Sequence, residues 1–123
     1  MQPTLFINHG GGPCFFLEPG PMRAAWHDLE AYLRGFANTL DELPRAILAV
    51  SGHWEEQAPT VNTGAHPPLL FDYDGFPDYT YRLTWPAPGD PALAARVRDL
   101  LAAAGIRSGS EPARAMRSRT RIT

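Results

Sequence analysis

A chain of 123 residues, 44% of them apolar, can bury one hydrophobic core and is too short to expect a second domain. Charge is uneven: twelve acids face seven arginines up to Arg107, and one acid faces four arginines from Ser108 onward. The acidic body argues against nucleic acid as a partner. No run reaches the roughly 18–20 apolar residues of a membrane span, and no secretory leader pattern opens the chain, so the expected location is cytoplasmic.

Thr4–Asn8 ("TLFIN") is a short apolar run that meets a histidine and three glycines, which predicts a buried strand entering a loop. Pro21 suits the first position of a helix, where its missing N–H costs nothing. Met22, Ala25, Trp26, Leu29, Leu33, Phe36 and Leu40 then recur at three- and four-residue spacings. They predict one continuous helix with a single buried face, ended by Pro44. Ala46–Ser51 ("AILAVS") predicts a second buried strand. Strand, helix and strand in this order predict a βαβ unit with both strands parallel in one sheet.

Further on, Pro59–Thr63 predicts a short strand, and "HPPLLFDYDGFP" an ordered, irregular loop. Thr80–Trp85 alternates weakly, as an edge strand would. "PGDPALAARVRDLLAAAGI" carries the clearest local signal: Asp90 caps, Pro91 starts the helix, and Leu93, Val97, Leu100 and Leu101 form its stripe. Gly105 closes it. A strand is expected from Ile106, but "RSGSEPARAMRSRTRIT" has no period and little to bury. Residues 108–123 are therefore expected to be a disordered tail.

The lone cysteine, Cys14, excludes an internal disulfide and a thiolate cluster for zinc. Four histidines remain: His9, His27, His53 and His66. His27 lies beside Asp28 and Glu30, as a solvated helix residue would. His66 precedes two prolines and reads as a turn residue. His9 and His53 differ from these, because each lies just past the end of a predicted parallel strand. Ligands gather beyond the carboxyl ends of such strands, and neutral imidazole is a common ligand of first-row metals. Each could equally fill a structural place at its turn. Glu55 would share a side with His53 if the strand continued, as a carboxylate ligand or as part of a solvated pair with Glu56. Residue spacing alone leads to an α/β domain with a two-histidine half-site.

Four ordered segments carry the chain further. "NHGGGP" (8–13), "SGHW" (51–54), "FDYDGFP" (71–77) and "WPAPGDPALAARV" (85–97) together resemble the class III extradiol ring-cleavage dioxygenases, in the branch that includes DOPA-extradiol-dioxygenase-like proteins. The resemblance covers about residues 3–107. It implies an α/β fold with a mixed, mostly parallel sheet flanked by helices, of which this chain would form the N-terminal half. It further implies a mononuclear metal, Fe(II) or in some members Zn(II), with His9 and His53 as ligands. The implied reaction opens the ring of a small catecholic substrate with O2. A "GFP" loop such as Gly75–Pro77 would shape a wall near the substrate.

Members of that family are about twice as long, and their second half supplies a further ligand and an acid/base histidine. No histidine follows His66 here, so a truncated or frameshifted reading frame and an incomplete site are expected. Two other readings stay open: a zinc hydrolase using His9, His53 and Glu55, and a non-catalytic interaction module on the same fold.

Overall fold

The structure, a computed structural model, describes residues 2–8 and 10–112. It divides into two compact units, Met1–Ala49 with Asp74–Arg82, and Val50–Tyr73 with Leu83–Thr123.

In the first unit the sequence turns through a 3-10 helix at Cys14–Phe16 into helix α1, Pro21–Ala24, and helix α2, His27–Phe36. Pro21 does occupy the first turn of α1. The predicted single helix is nonetheless broken. Trp26 leaves helical geometry at φ −109° and ψ 6°, and its N–H bonds back only three residues, to the Arg23 carbonyl at 3.0 Å. This break falls where the Trp26 indole lies against Gly10, a tertiary contact that periodicity cannot foresee. Helix α2 also stops early. A 3-10 turn at Ala37–Thr39 follows it, with the Thr39 hydroxyl donating to the Phe36 carbonyl at 2.7 Å, and Leu40 is already extended.

Glu30 ties the two helices together. Its carboxylate accepts from Arg34 Nε at 2.9 Å and from Arg23 Nη2 at 3.4 Å. Arg23 also donates to the Leu17 carbonyl at 2.9 Å, which draws the preceding loop onto α1. Cys14, Leu17 and Thr80 are the most deeply buried side chains of this unit. Thr80 lies in a 3-10 helix, Asp78–Arg82, where the sequence predicts an edge strand. The reason is local: its N–H and its hydroxyl both donate to the Pro77 carbonyl, at 2.9 Å and 2.8 Å. Bonds of this kind compete with a strand ladder.

Neither Thr4–Asn8 nor Ala46–Ser51 forms a strand. A strand exists by pairing, since its N–H and C=O groups need a neighbouring ladder, and a fully apolar one needs cover on both faces. Neither run pairs with another strand among the described residues. Their side chains are exposed instead: Phe6 to 95%, Ile47 to 81% and Val50 to 91%.

The second unit holds the sheet. Strand β1, Thr60–Asn62, falls within the predicted Pro59–Thr63. Helix α3, Pro91–Ala103, begins as predicted, with the Asp90 carboxylate accepting from the Leu93 N–H at 2.9 Å. It ends in a Schellman turn: Gly105 has φ +75°, its N–H reaches the Ala102 carbonyl at 2.9 Å, and the Ile106 N–H reaches Leu101 at 2.8 Å. Strand β2, Gly109–Glu111, follows three residues after Ile106 and lies parallel to β1, with Thr60 opposite Gly109 and Asn62 opposite Glu111. The ladder continues past both ends, from the Gly109 N–H to the Pro59 carbonyl and from the Thr63 N–H to the Glu111 carbonyl. Helix α3 packs on β1, with Ala94 buried.

The architecture is thus mixed α/β with a small parallel sheet. Its parallel pair is β1 and β2, joined through α3, in place of the predicted pair at Thr4–Asn8 and Ala46–Ser51. Residues 113–123, most of the predicted tail, lie outside the described residues.

Candidate metal centre

His9, the first of the two predicted ligands, lies outside the described residues. Gly10 packs against Cys14 and Trp26, and a methyl group built on it would come 2.9 Å from Cδ2 of the indole. Gly12 has φ +53°, a conformation that L side chains rarely adopt. A methyl group there would come 2.6 Å from Cε2 and 2.7 Å from Cζ of Phe76. Gly11 between them faces open space. The loop then dives inward at Pro13 and Cys14, both buried.

Cys14 is 3% exposed, and burial pushes its thiol up from the ordinary value, against smaller opposing effects from backbone hydrogen bonds. A raised thiol pKa disfavours the thiolate that would bind a metal or attack a substrate. Its part here is to pack beneath Gly10.

Phe76 comes from the "GFP" segment, whose Gly75 turns the chain at φ +73°. Its N–H points to the Tyr81 hydroxyl at 3.5 Å. Two residues earlier in the same 3-10 helix, the Tyr79 hydroxyl accepts from the Glu18 N–H at 3.1 Å. The segment 74–82 therefore meets the glycine-rich loop at Gly12 and at Glu18.

His53, in the second unit, sits half-buried in a turn rather than at the end of a strand. Its N–H donates to the Ser51 hydroxyl at 3.2 Å, which fixes the turn by a local side-chain bond. Trp54 next to it donates from Nε1 to Glu56 at 3.3 Å. Glu55 is exposed, and without a strand here the alternation that would align it with His53 does not operate. His66 is exposed in an irregular segment. His27 is exposed too, with Nδ1 lying 3.1 Å from the Asp28 carboxylate.

Among the described residues no group of three or more His, Cys, Asp or Glu side chains comes together to hold a metal ion. Imidazole donors such as His9 and His53 have the right chemistry for Fe(II) or Zn(II). Residue spacing places Trp26 on a helical face rather than against Gly10, and gives no role to Tyr79 or Tyr81. The signal for the tyrosines is "DYTYR" directly after "GFP", where two tyrosines flank a threonine that bonds back to a proline carbonyl.

The chain is homologous, at moderate identity, to extradiol dioxygenases. Dioxygenase tasH of Hapsidospora irregularis is 37% identical over 108 residues, covering 86% of this chain and 33% of that protein. The 4,5-DOPA dioxygenase extradiol of Portulaca grandiflora is 41% identical over 109 residues, covering 88% of this chain and 38% of the relative. A protein of the same name in Escherichia coli (strain K12) is 38% identical over 101 residues, covering 82% and 34%. The chain therefore spans little more than a third of the length of these curated relatives. It matches no protein-family profile. Among the described residues no helix is long and apolar enough to cross a membrane.

Proposed function

We propose that this chain is the N-terminal portion of an O2-dependent extradiol ring-cleavage dioxygenase acting on a small catecholic substrate. The observation that carries the proposal is the similarity to dioxygenases along more than four-fifths of the chain. In this reading His9 and His53 are ligands of one non-haem metal ion, Fe(II) before Zn(II). A bound Fe(II) would supply the redox chemistry that joins O2 to the ring, which Zn(II) cannot do. The glycine-rich loop beside His9 leaves room for substrate at Gly11, and the turn at His53 is set by Ser51.

Two imidazoles are fewer than the three protein ligands common at catalytic metal sites. The isolated chain is therefore expected to show no ring cleavage with DOPA or protocatechuate and added Fe(II). The function is tested by a chimera in which residues 3–107 replace the matched part of the Portulaca grandiflora relative. Fe(II)-dependent O2 uptake with DOPA is expected, and its loss on His9→Ala or His53→Ala. A folded chimera that consumes O2 equally well with both histidines replaced would overturn the ligand assignment; one that never turns over would overturn the function.

A further inference from the structure

We infer that the bare apolar runs of the first unit, Thr4–Asn8 and residues 46–49, are a docking surface for further polypeptide, of the kind that the dioxygenase relatives carry beyond their match to this chain. The inference rests on the reading of the chain as one portion of such an enzyme, not on its turnover, and deepens that reading by naming what the portion binds.

The first unit does not cover its own apolar side chains. Among its described residues Phe6 is 95% exposed, Ile47 81% and Leu48 61%. Helix α2 has no buried residue, and Leu29, Leu33 and Phe36 on its apolar stripe are only half-buried. Residues 5–7 and 46–49 are apolar at every position, the pattern of strands covered on both faces. Neither run joins a ladder among the described residues.

The chemistry of the runs selects the occupant. An extended segment needs partners for its N–H and C=O groups as well as cover for its side chains, and another polypeptide supplies both by adding strands. A lipid surface offers no ladder, and this unit holds seven acids against four arginines, the wrong sign for an anionic membrane. A second copy brings the same two runs and no further strand to flank them. The relatives do carry more chain. The match takes up 33% of dioxygenase tasH and 38% of the Portulaca grandiflora relative, so the greater part of each is polypeptide with no counterpart here. That further chain is the occupant.

The test co-expresses the full chain with the part of the Portulaca grandiflora relative outside the matched residues, as a separate polypeptide. Phe6→Cys, Ile47→Cys and Arg96→Cys, one per chain, report accessibility through their rate of reaction with a soluble maleimide. Arg96, exposed on α3, is the control, and the native Cys14 is buried. In the dilute chain alone the three introduced thiols should react at similar rates. In a one-to-one complex those of Phe6→Cys and Ile47→Cys should slow by about tenfold or more, because a covered thiol waits for local opening. Arg96→Cys should be unchanged.

A one-to-one complex in which both test thiols stay fast would overturn the inference. So would a soluble partner segment that forms no complex, slowing at all three positions alike, or a homodimer that covers both thiols and is not displaced. Should the separate segment prove insoluble, the chimera of residues 3–107 with that relative supplies the same polypeptide covalently, and fast thiols in the folded chimera overturn the inference. Turnover is read apart. Protection of both thiols without O2 uptake overturns the ring-cleavage reading and leaves the docking surface standing; O2 uptake with both thiols fast does the reverse.

Discussion

Glu30 shows how one residue can join elements that sequence spacing treats as separate. Its side chain is 13% exposed and lies between Arg23 and Arg34. The hydrogen bond from Arg34 holds its carboxyl below the ordinary value of 4.5, with Arg23 adding to the effect and partial burial opposing it. A carboxyl with a lowered pKa in the folded state stabilises the fold above its ordinary pKa. That contribution is lost as pH falls from about 4.5 through the lower folded value. Glu30→Gln should therefore melt below wild type at pH 7, and the gap between the two should close on acidification. Melting curves at several pH values check this, and a gap that widens toward acid would contradict it. Arg34 stands four residues after Glu30 on α2, the spacing at which helical side chains meet. Arg23 stands seven residues before it, on the other side of the break at Trp26.

At the scale of elements, local chemistry and long-range pairing separate cleanly. Helix α3 was legible almost to the residue, since its signals are all contained in it: Asp90 before Pro91, a sustained apolar stripe, and Gly105 beyond the end. Asp90 and Gly105 each make the bond their chemistry predicts, whereas of the stripe Leu100 stays 52% exposed and the buried side chain of the helix is Ala94. Asp90→Ala removes the acceptor for the Leu93 N–H and should destabilise the second unit by about 1 kcal/mol, whereas Asp90→Ser should cost much less. Urea denaturation followed by helix circular dichroism measures the difference; equal losses in both variants would show that the cap contributes nothing. Strands behaved differently. The apolar runs at Thr4–Asn8 and Ala46–Ser51 carry the stronger strand pattern, yet the ladder formed at "TVN" and "GSE". A strand's energy resides in its neighbour as much as in its own residues. The pairing that α3 delivers therefore outweighed the hydrophobicity of runs without a partner strand.

For the whole molecule, the consequence is apolar surface. Leu5, Phe6, Ile7, Ile47, Leu48 and Val50 are all at least 41% exposed, and contiguous exposed apolar residues favour association. Phe6→Ser and Val50→Thr, alone or together, should reduce self-association in sedimentation velocity while changing stability by less than about 0.5 kcal/mol each, as exposed substitutions do. A drop in melting temperature of many degrees would mean that these side chains are buried in solution.

What the sequence by itself determined is what short-range physics controls: an α/β composition, helix α3 with its cap and its stop, the turn character of the glycine-rich loop, and the four segments shared in pattern with extradiol dioxygenases. Only the tertiary structure decided which segments pair, where the first helix breaks, and that Phe76 closes on Gly12 across more than sixty residues of chain. Capping and turn preferences are settled by bonds between residues a few positions apart. Ladders and aromatic contacts are settled by which distant surface arrives, and no local pattern encodes that.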